Sequence, residues 1–172
     1  GAALLVAYDG QMIIGKGFGL RDIERKEPIT KSTNMRMGSV SKQFTALTIL
    51  KLVDEGKISL SDSVYSIFPV ETFKDGTTIK QLINHTSGEA DAEEAFFTEW
   101  DSTKIAKNKN ILEWNSKENR SITKPGEKYE YNNGIYELIP CIVEKVSGQE
   151  FAEFAKENVF NKAGMKKTNF FN

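Results

Sequence analysis

Most of the information about the fold lies in one stretch, Met37-Gly38-Ser39-Val40-Ser41-Lys42-Gln43-Phe44, and in the apolar run that follows it. Apolar side chains recur so densely after Phe44 that only Thr48, Lys51 and Glu55 leave a narrow polar stripe. A helix that is apolar on nearly every side is typical of the centre of a domain. The sequence therefore predicts a buried helix that starts in this stretch and ends at Gly56, a residue suited to a helix C-terminus.

Ser39 and Lys42 are three residues apart at the start of this helix, so their side chains are expected on the same face, one turn apart. Backbone N–H groups and the helix dipole at an N-terminus favour an oxyanion that develops beside such a serine. A partly desolvated lysine loses basicity and can accept the proton of a serine hydroxyl. The pattern indicates a nucleophilic serine with an activating amine; a helix-capping serine beside a solvated lysine is the alternative.

A second polar triplet, Tyr131-Asn132-Asn133, lies in a predicted turn before another apolar helix. A phenol near a lysine ammonium ionises more easily and can carry a proton to a leaving group. The Asn133 amide can hold a substrate carbonyl. The alternative interpretation is a core tyrosine in an ordinary turn.

His85 is the only histidine in the chain and therefore the only candidate for a Ser–His dyad. No aspartate stands out as its orienting partner. Its place at the end of a short helix favours a structural role as a C-cap, in which the ring bonds loop carbonyls.

The other segments predict a mixed fold. Residues 3–8 and 11–18 form a hairpin around Asp9-Gly10. A polar loop follows over 21–34, and a capping box at Thr78 starts a helix that ends near Gly88. Residues 89–124 form an irregular or helical excursion whose aromatic residues either border a cleft or pack under a long loop. After a turn at Asn132-Asn133-Gly134, a helix with a kink at Pro140 is expected up to Ser147, and a last helix over 149–160. The first of these is predicted by apolar residues at helical spacing: Ile135, Leu138, Ile139, Ile142, Val143 and Val146.

Composition excludes several classes of function. Lys and Arg total 23 against 24 for Asp and Glu, with no basic stripe, so a nucleic-acid partner is not expected. No apolar run approaches the roughly 20 residues that span a bilayer. One cysteine, Cys141, excludes an internal disulfide, and the lack of a Cys/His cluster argues against a zinc site. No metal or other cofactor is predicted.

Several phrases, taken in order, resemble the serine β-lactamase and penicillin-binding protein superfamily, in which Ser-x-x-Lys is a signature. The closest branch contains class C β-lactamases, D-alanyl-D-alanine carboxypeptidases and related esterases, whose second motif, Tyr-x-Asn, is matched by Tyr131 and Asn133. The matching phrases are Met37-Gly38-Ser39-Val40-Ser41-Lys42-Gln43-Phe44, Leu52-Val53-Asp54-Glu55-Gly56-Lys57-Ile58-Ser59-Leu60, Gln81-Leu82-Ile83-Asn84-His85-Thr86-Ser87-Gly88, Pro125-Gly126 and Ala163-Gly164-Met165-Lys166-Lys167-Thr168.

The resemblance implies an α/β (α+β) fold of the β-lactamase/transpeptidase type. It implies that Ser39 is acylated, that Lys42 is its base partner, that Tyr131 shuttles a proton and that Asn133 contacts the substrate. The substrate is then an amide or ester: a β-lactam, a D-alanyl peptide or a small ester. The resemblance also implies a bacterial protein that is periplasmic or secreted.

The family's third motif, Lys- or His-x-Gly on a later strand, has no convincing match. Lys162-Ala163-Gly164 fits formally but sits where the family has a helix-end phrase. We therefore expect residues 1–172 to be the N-terminal and central part of the domain, with an incomplete antiparallel sheet. A missing C-terminal segment or self-association would complete that sheet. The alternative function is a non-catalytic fragment or a penicillin-binding sensor without turnover.

Overall fold

The first strands form the hairpin that the alternating pattern predicted. In the computed structural model, which describes residues 1–117 and 121–171, strands β1 (Ala2–Tyr8) and β2 (Gln11–Phe18) are antiparallel. Asp9 and Gly10 between them have φ of 48° and 73°, as a two-residue turn with the twist of a hairpin requires.

The segment predicted as a polar loop after the hairpin contains two further short strands. Strand β3 (Leu20–Asp22) pairs with β4 (Glu27–Pro28), and an ion pair joins Arg21 to Glu27. A Cβ atom at Gly17 would collide with the Ile29 carbonyl, so glycine permits the close approach of these segments. The pairing of β3 with β4 depends on tertiary contacts, so the polar residues of this segment did not predict it. Residues Gly1–Gly38 form one compact unit.

The second unit, Ser39–Asn172, is mainly helical. Its α-helices are α1 (Lys42–Asp54), α2 (Val64–Ile67), α3 (Ile79–Ile83), α4 (Glu93–Glu99), α5 (Asn108–Asn115), α6 (Asn133–Ser147) and α7 (Phe151–Ala155). Short 3₁₀ turns cover Gly38–Ser41 and Glu71–Phe73, and a π-helical turn, Lys156–Phe160, extends α7. Helices α1, α3, α5 and α7 pack against α6, which is the centre of this unit.

Helix α1 is buried on one side only, which corrects the prediction of a helix buried nearly all round. Leu47 and Leu50 are 44% and 41% exposed, whereas Thr48, expected on the polar stripe, is fully buried. The Thr48 hydroxyl donates to the Thr45 carbonyl at 2.7 Å, which satisfies it without water. Because a threonine can meet its hydrogen-bonding needs within its own helix, its polarity did not identify the exposed face.

The excursion after residue 88 belongs to the main core. Phe96 on α4 and Trp114 on α5 are 1% and 7% exposed, and both pack with the buried residues of α6. The interpretation as a satellite cluster under a loop is therefore wrong. These two rings and Trp100 border a cavity of about 330 Å³ whose rim carries acidic and basic side chains.

The remaining helices start or end differently from the prediction. The capping box at Thr78 is present, but α3 ends at Ile83, five residues before Gly88. Asn133 and Gly134, predicted in a turn, form the first turn of α6, and this helix continues through Pro140. No described helix is long and apolar enough to cross a membrane.

Candidate active site

Ser39 and Lys42 lie where the chain enters α1. Ser39 is in the 3₁₀ turn, after Gly38, whose φ of 51° is a conformation that glycine adopts readily. Lys42 is the first residue of α1, and its Nζ lies 3.4 Å from Ser39 Oγ. Ser39 is exposed and Lys42 is half-buried, so the hydroxyl is accessible from solvent while the amine lies against the protein.

Tyr131 approaches Ser39 more closely than Lys42 does. Its hydroxyl donates to Ser39 Oγ over 2.7 Å, although 92 residues separate the two along the chain. Its pKa is lowered, first by the hydrogen-bonding interaction with Lys42 and then by that with Ser39. The Lys42 ammonium also lies over the Tyr131 ring, 4.9 Å from its centroid. These contacts make the Tyr131 hydroxyl easier to ionise than an ordinary phenol.

Asn133 completes the cluster from the first turn of α6. Its Oδ1 accepts a hydrogen bond of 2.6 Å from Lys42 Nζ. The sequence placed Asn133 at the substrate; the structure shows that its amide oxygen holds the lysine. The structure thus brings Ser39, Lys42, Tyr131 and Asn133 together, and their catalytic roles stay predictions.

His85 lies behind Tyr131 and has no described contact with Ser39. Its ring stacks between Tyr131 and Tyr136, at centroid distances of 4.5 and 4.8 Å. Its Nδ1 accepts the backbone N–H of Asn132 at 3.0 Å. The prediction that the ring bonds loop carbonyls is therefore wrong, and Asn84 rather than His85 occupies the C-cap of α3. Burial, then the Lys42 charge, lowers the pKa of His85, which keeps Nδ1 free to accept.

Asn132 caps the helix that carries Asn133. Its Oδ1 accepts the N–H of Ile135 at 2.9 Å, and its Nδ2 donates to the Glu89 carbonyl at 2.8 Å. The side chain is 1% exposed, so both bonds are shielded from water. Asn132 consequently ties the start of α6 to the loop that contains Glu89.

Asp91 is a residue of the site that the sequence did not reveal. Its Oδ2 accepts the N–H of Asn133 at 2.9 Å, and its Oδ1 accepts those of Gly134 and Glu93 at 3.0 and 3.1 Å. No local motif identifies it, because two of its three partners lie more than forty residues downstream.

Glu137 is a second unpredicted residue, one turn along α6 from Asn133. Burial, with smaller contributions from Glu93 and Asp91, raises its pKa to about 7. Its Oε2 is buried and has no hydrogen-bond partner among the described residues. An amphipathic pattern does not distinguish such a glutamate from a solvated one.

Two further sequence expectations concern metal ions and the third motif. Among residues 1–117 and 121–171, no group of His, Cys, Asp and Glu side chains is arranged to hold a metal ion. Lys162-Ala163-Gly164 lies in turns after the π-helical segment, where Ala163 N donates to the Val159 carbonyl. This is the helix-end position rather than a strand.

The family model described as "Beta-lactamase" matches residues 1–172. The chain belongs to the beta-lactamase family. It is 36% identical over 170 residues to "Penicillin-binding protein 4*" of Bacillus subtilis (strain 168), and this match covers 98% of the chain. "Protein flp" of Staphylococcus aureus (strain MW2) is 31% identical over 186 residues, covering 99% of the chain. The resemblance to the superfamily is confirmed; the class C branch stays a prediction.

Solved structures agree with this assignment. The octameric penicillin-binding protein homologue from Pyrococcus abyssi superposes with a TM-score of 0.88 at 31% identity, over 99% of this chain and 40% of that one. The penicillin-binding protein from Bacillus halodurans gives 0.86 at 27% identity, over 98% and 53%. The predicted fold class, a β-lactamase/transpeptidase-like α/β (α+β) fold, is therefore confirmed.

The chain spans only part of each relative. It covers 38% of the length of the Bacillus subtilis protein and 34% of the Staphylococcus aureus protein. The activity and partners of a whole protein of this family are therefore matters for proposal.

Proposed function

We propose that this protein is a serine hydrolase that forms an acyl-enzyme at Ser39 on an amide or ester. The observation that carries the proposal is the convergence of two proton-handling groups on one accessible hydroxyl: Tyr131 at 2.7 Å and Lys42 at 3.4 Å from Ser39 Oγ. A nucleophilic serine needs an adjacent group that removes its proton. The Tyr131 distance is that of a good hydrogen bond, and the Lys42 distance is at the long end of hydrogen-bond reach. Membership of the beta-lactamase family supports the same chemistry.

Tyr131 is the group we assign to accept the Ser39 proton, with Lys42 in support. The Tyr131 oxygen is the nearer of the two, and its pKa is lowered chiefly by Lys42. In the resting site the Tyr131 hydroxyl donates to Ser39 Oγ, so the phenol must first ionise. As Ser39 Oγ then bonds to the substrate carbonyl carbon, its proton passes to the ionised Tyr131 oxygen and the carbonyl oxygen takes up the electron pair. The tetrahedral intermediate then expels the leaving group, which receives the proton from Tyr131.

Deacylation restores the enzyme. Water attacks the ester at Ser39, loses a proton to Tyr131, and releases the acid product while the proton returns to Ser39 Oγ. Lys42 stabilises negative charge on the Tyr131 oxygen, in keeping with its lowering of the Tyr131 pKa. Asn133 holds Lys42 through Oδ1, which leaves its Nδ2 as the donor we assign to a substrate carbonyl.

The substrates we propose are β-lactams, D-alanyl peptides or small esters. The names of the Bacillus subtilis and Bacillus halodurans relatives indicate penicillin binding for those proteins, and covalent capture of a penicillin is acylation of a serine. A periplasmic or secreted location is part of the same proposal. Self-association is also proposed, because the Pyrococcus abyssi homologue is described as octameric.

Active-site labelling tests the proposal. A fluorescent penicillin and a fluorophosphonate should each label the full-length gene product once, and Ser39→Ala should abolish the label. Ser41→Ala is a matched control, because Ser41 lies in the same stretch and its side chain makes no capping bond. An unlabelled wild-type protein, or label that persists in Ser39→Ala, would contradict the proposal.

Turnover separates this proposal from its alternative. A hydrolase should release acid from the ester or β-lactam after labelling, whereas a penicillin-binding sensor should retain the label without measurable release. The measurement uses the wild-type protein: after the free reagent is removed, the loss of label from the protein is followed over time.

A further inference from the structure

We propose that Asp91 is a positioning residue of this site: its carboxylate holds the first turn of α6 so that Asn133 keeps the Lys42 amine beside Ser39. The inference rests on the proposed acyl transfer at Ser39 and adds a residue that no sequence motif marks.

The Asp91 carboxylate joins the starts of two helices. Oδ2 accepts from Asn133 N at 2.9 Å, and Oδ1 accepts from Gly134 N at 3.0 Å and from Glu93 N at 3.1 Å. The first N–H groups of a helix have no partner within the helix. One side chain therefore satisfies two such groups in α6 and one in α4, and both of its oxygens are used.

Asp91 and Asn132 divide the capping of α6 between them. Asn132, the adjacent N-cap, accepts the N–H of Ile135. The N–H groups of Asn133 and Gly134 are left to Asp91, which approaches from the loop before α4. A cap from a distant segment fixes the helix relative to that segment as well as closing its first turn.

The junction leaves little room for a side chain at position 134 of the helix. A Cβ atom at Gly134 would lie 3.2 Å from the backbone nitrogens of Ala92 and Glu93 and 3.3 Å from Asp91 Oδ1. These distances are shorter than ordinary van der Waals contact. The glycine permits the close approach that the three hydrogen bonds need.

The position of the Asn133 backbone determines where Lys42 is held. Asn133 Oδ1 accepts from Lys42 Nζ at 2.6 Å, and the same nitrogen lies 3.4 Å from Ser39 Oγ. A displacement of about 1 Å in a catalytic group can lower a rate by about 100-fold. Release of the first turn of α6 therefore weakens the Ser39 site even though Asp91 does not touch Ser39.

Charge contributes to the same arrangement. Burial tends to raise the pKa of Asp91, but the N–H bonds from Asn133, Gly134 and Glu93, with the Lys42 charge, lower it overall. The carboxylate is thus ionised at neutral pH, and a negative charge at a helix N-terminus is stabilising.

The test measures the limiting rate of Ser39 labelling by a fluorophosphonate in the full-length gene product. Asp91→Ala should lower this rate about tenfold or more. Asp91→Asn, which keeps one acceptor oxygen, should lower it less. Glu94→Gln is the matched control, since Glu94 is an exposed carboxylate on α4, three residues after Asp91, and its substitution should leave the rate unchanged. All rates are compared below the unfolding midpoint of each variant.

A double-mutant cycle identifies the route of the effect. If Asp91 acts through Asn133, Asp91→Ala should add little to the defect of Asn133→Ala. Additive effects of the two substitutions would overturn the inference, and so would a wild-type rate in Asp91→Ala.

The single histidine provides a readout that is independent of labelling. Burial and Lys42 lower the pKa of His85, and Asp91 partly opposes them. Asp91→Asn should therefore lower the His85 pKa further in an NMR titration, with no change in Glu94→Gln. An unchanged His85 titration in Asp91→Asn counts against the inferred geometry. Failure of the wild-type protein to label refutes the proposed function instead, so the two failures are distinguishable.

Discussion

At the scale of single residues, His85 shows how one ring can order a site without entering its chemistry. The imidazole accepts the N–H of Asn132 and stacks on Tyr131 and Tyr136. A stacked aromatic pair contributes roughly 0.5–1.5 kcal/mol beyond its buried area. His85 therefore holds both the Tyr131 ring and the backbone N–H of Asn132, the residue that follows Tyr131.

His85→Ala should lower the free energy of unfolding by about 1–3 kcal/mol, because Asn132 N loses its acceptor and the ring contacts of His85 with Tyr129, Tyr131 and Tyr136 disappear. Ser39 labelling should fall several-fold, yet remain far above that of Ser39→Ala. Urea unfolding and labelling of the same samples provide the measurement. A loss of labelling as complete as in Ser39→Ala, with stability unchanged, would make His85 the base.

Because its pKa is lowered, His85 makes the free energy of unfolding depend on pH. The unfolded chain binds the proton near pH 6.5 and the folded chain only at lower pH, so His85 contributes a loss of stability as the pH falls below about 6.5. The contribution is absent above that pH.

At the scale of elements, helix α6 was partly predictable. The recurrence of Ile135, Leu138, Ile139 and Ile142 at helical spacing predicted the helix and its buried face, and all four are at most 3% exposed. Its start was only partly predictable. The N-cap, Asn132, is of a residue type that favours helix starts, but the Asp91 carboxylate that binds the N–H groups of Asn133 and Gly134 comes from a distant loop.

Helix α1 shows the corresponding limit for burial. Its apolar run predicted a central helix, but Leu47 and Leu50 are exposed. A periodic pattern reports which side chains are apolar; the neighbouring elements decide which of them are covered. The four clustered site residues were all named from the sequence because two motifs carried them, whereas Asp91 and Glu137 lie outside both motifs.

Glu137 on α6 should make stability depend on pH in the opposite sense to His85. Its pKa of about 7 in the folded chain lies above the ordinary 4.5, so the folded state binds the proton more tightly and Glu137 lowers stability as the pH rises from about 4.5 to 7. Glu137→Gln should therefore stabilise the protein at pH 8 by roughly 1–2 kcal/mol, allowing for solvent screening, and change it little at pH 5.

Thermal unfolding at both pH values checks this expectation. Glu94→Gln, on exposed α4 surface, is the control for loss of a carboxylate. Equal effects of Glu137→Gln at pH 5 and pH 8 would show that the pKa of Glu137 is not raised in the folded protein.

At the scale of the whole molecule, the hairpin presents apolar surface on both of its faces. Leu4, Leu5 and Val6 are consecutive in β1 and are 44%, 62% and 39% exposed. Successive residues of a strand point to opposite faces, so neither face of β1 is covered. An exposed apolar strand is a site for pairing with another chain.

The 172-residue chain should therefore associate as its concentration rises. Leu5→Lys should weaken this association, since it places a charge on the exposed strand. Gln11→Lys on β2 is the control, because it adds the same charge without removing apolar surface. Sedimentation velocity across a concentration series distinguishes the variants. A wild-type chain that stays monomeric throughout would contradict the expectation.

The contact between Tyr131 and Ser39 has a consequence for the order of events during refolding. The chain must close a loop of 92 residues before these oxygens can meet, and 91 residues separate Lys42 from Asn133. Such distant contacts form late, after local helices, because their chain entropy is lost before they contribute stability. During refolding, competence for labelling should lag behind the far-ultraviolet circular dichroism signal. The chain would then pass through a helical but still unreactive state, and the time at which Ser39 becomes able to react with the label would report the last step of folding.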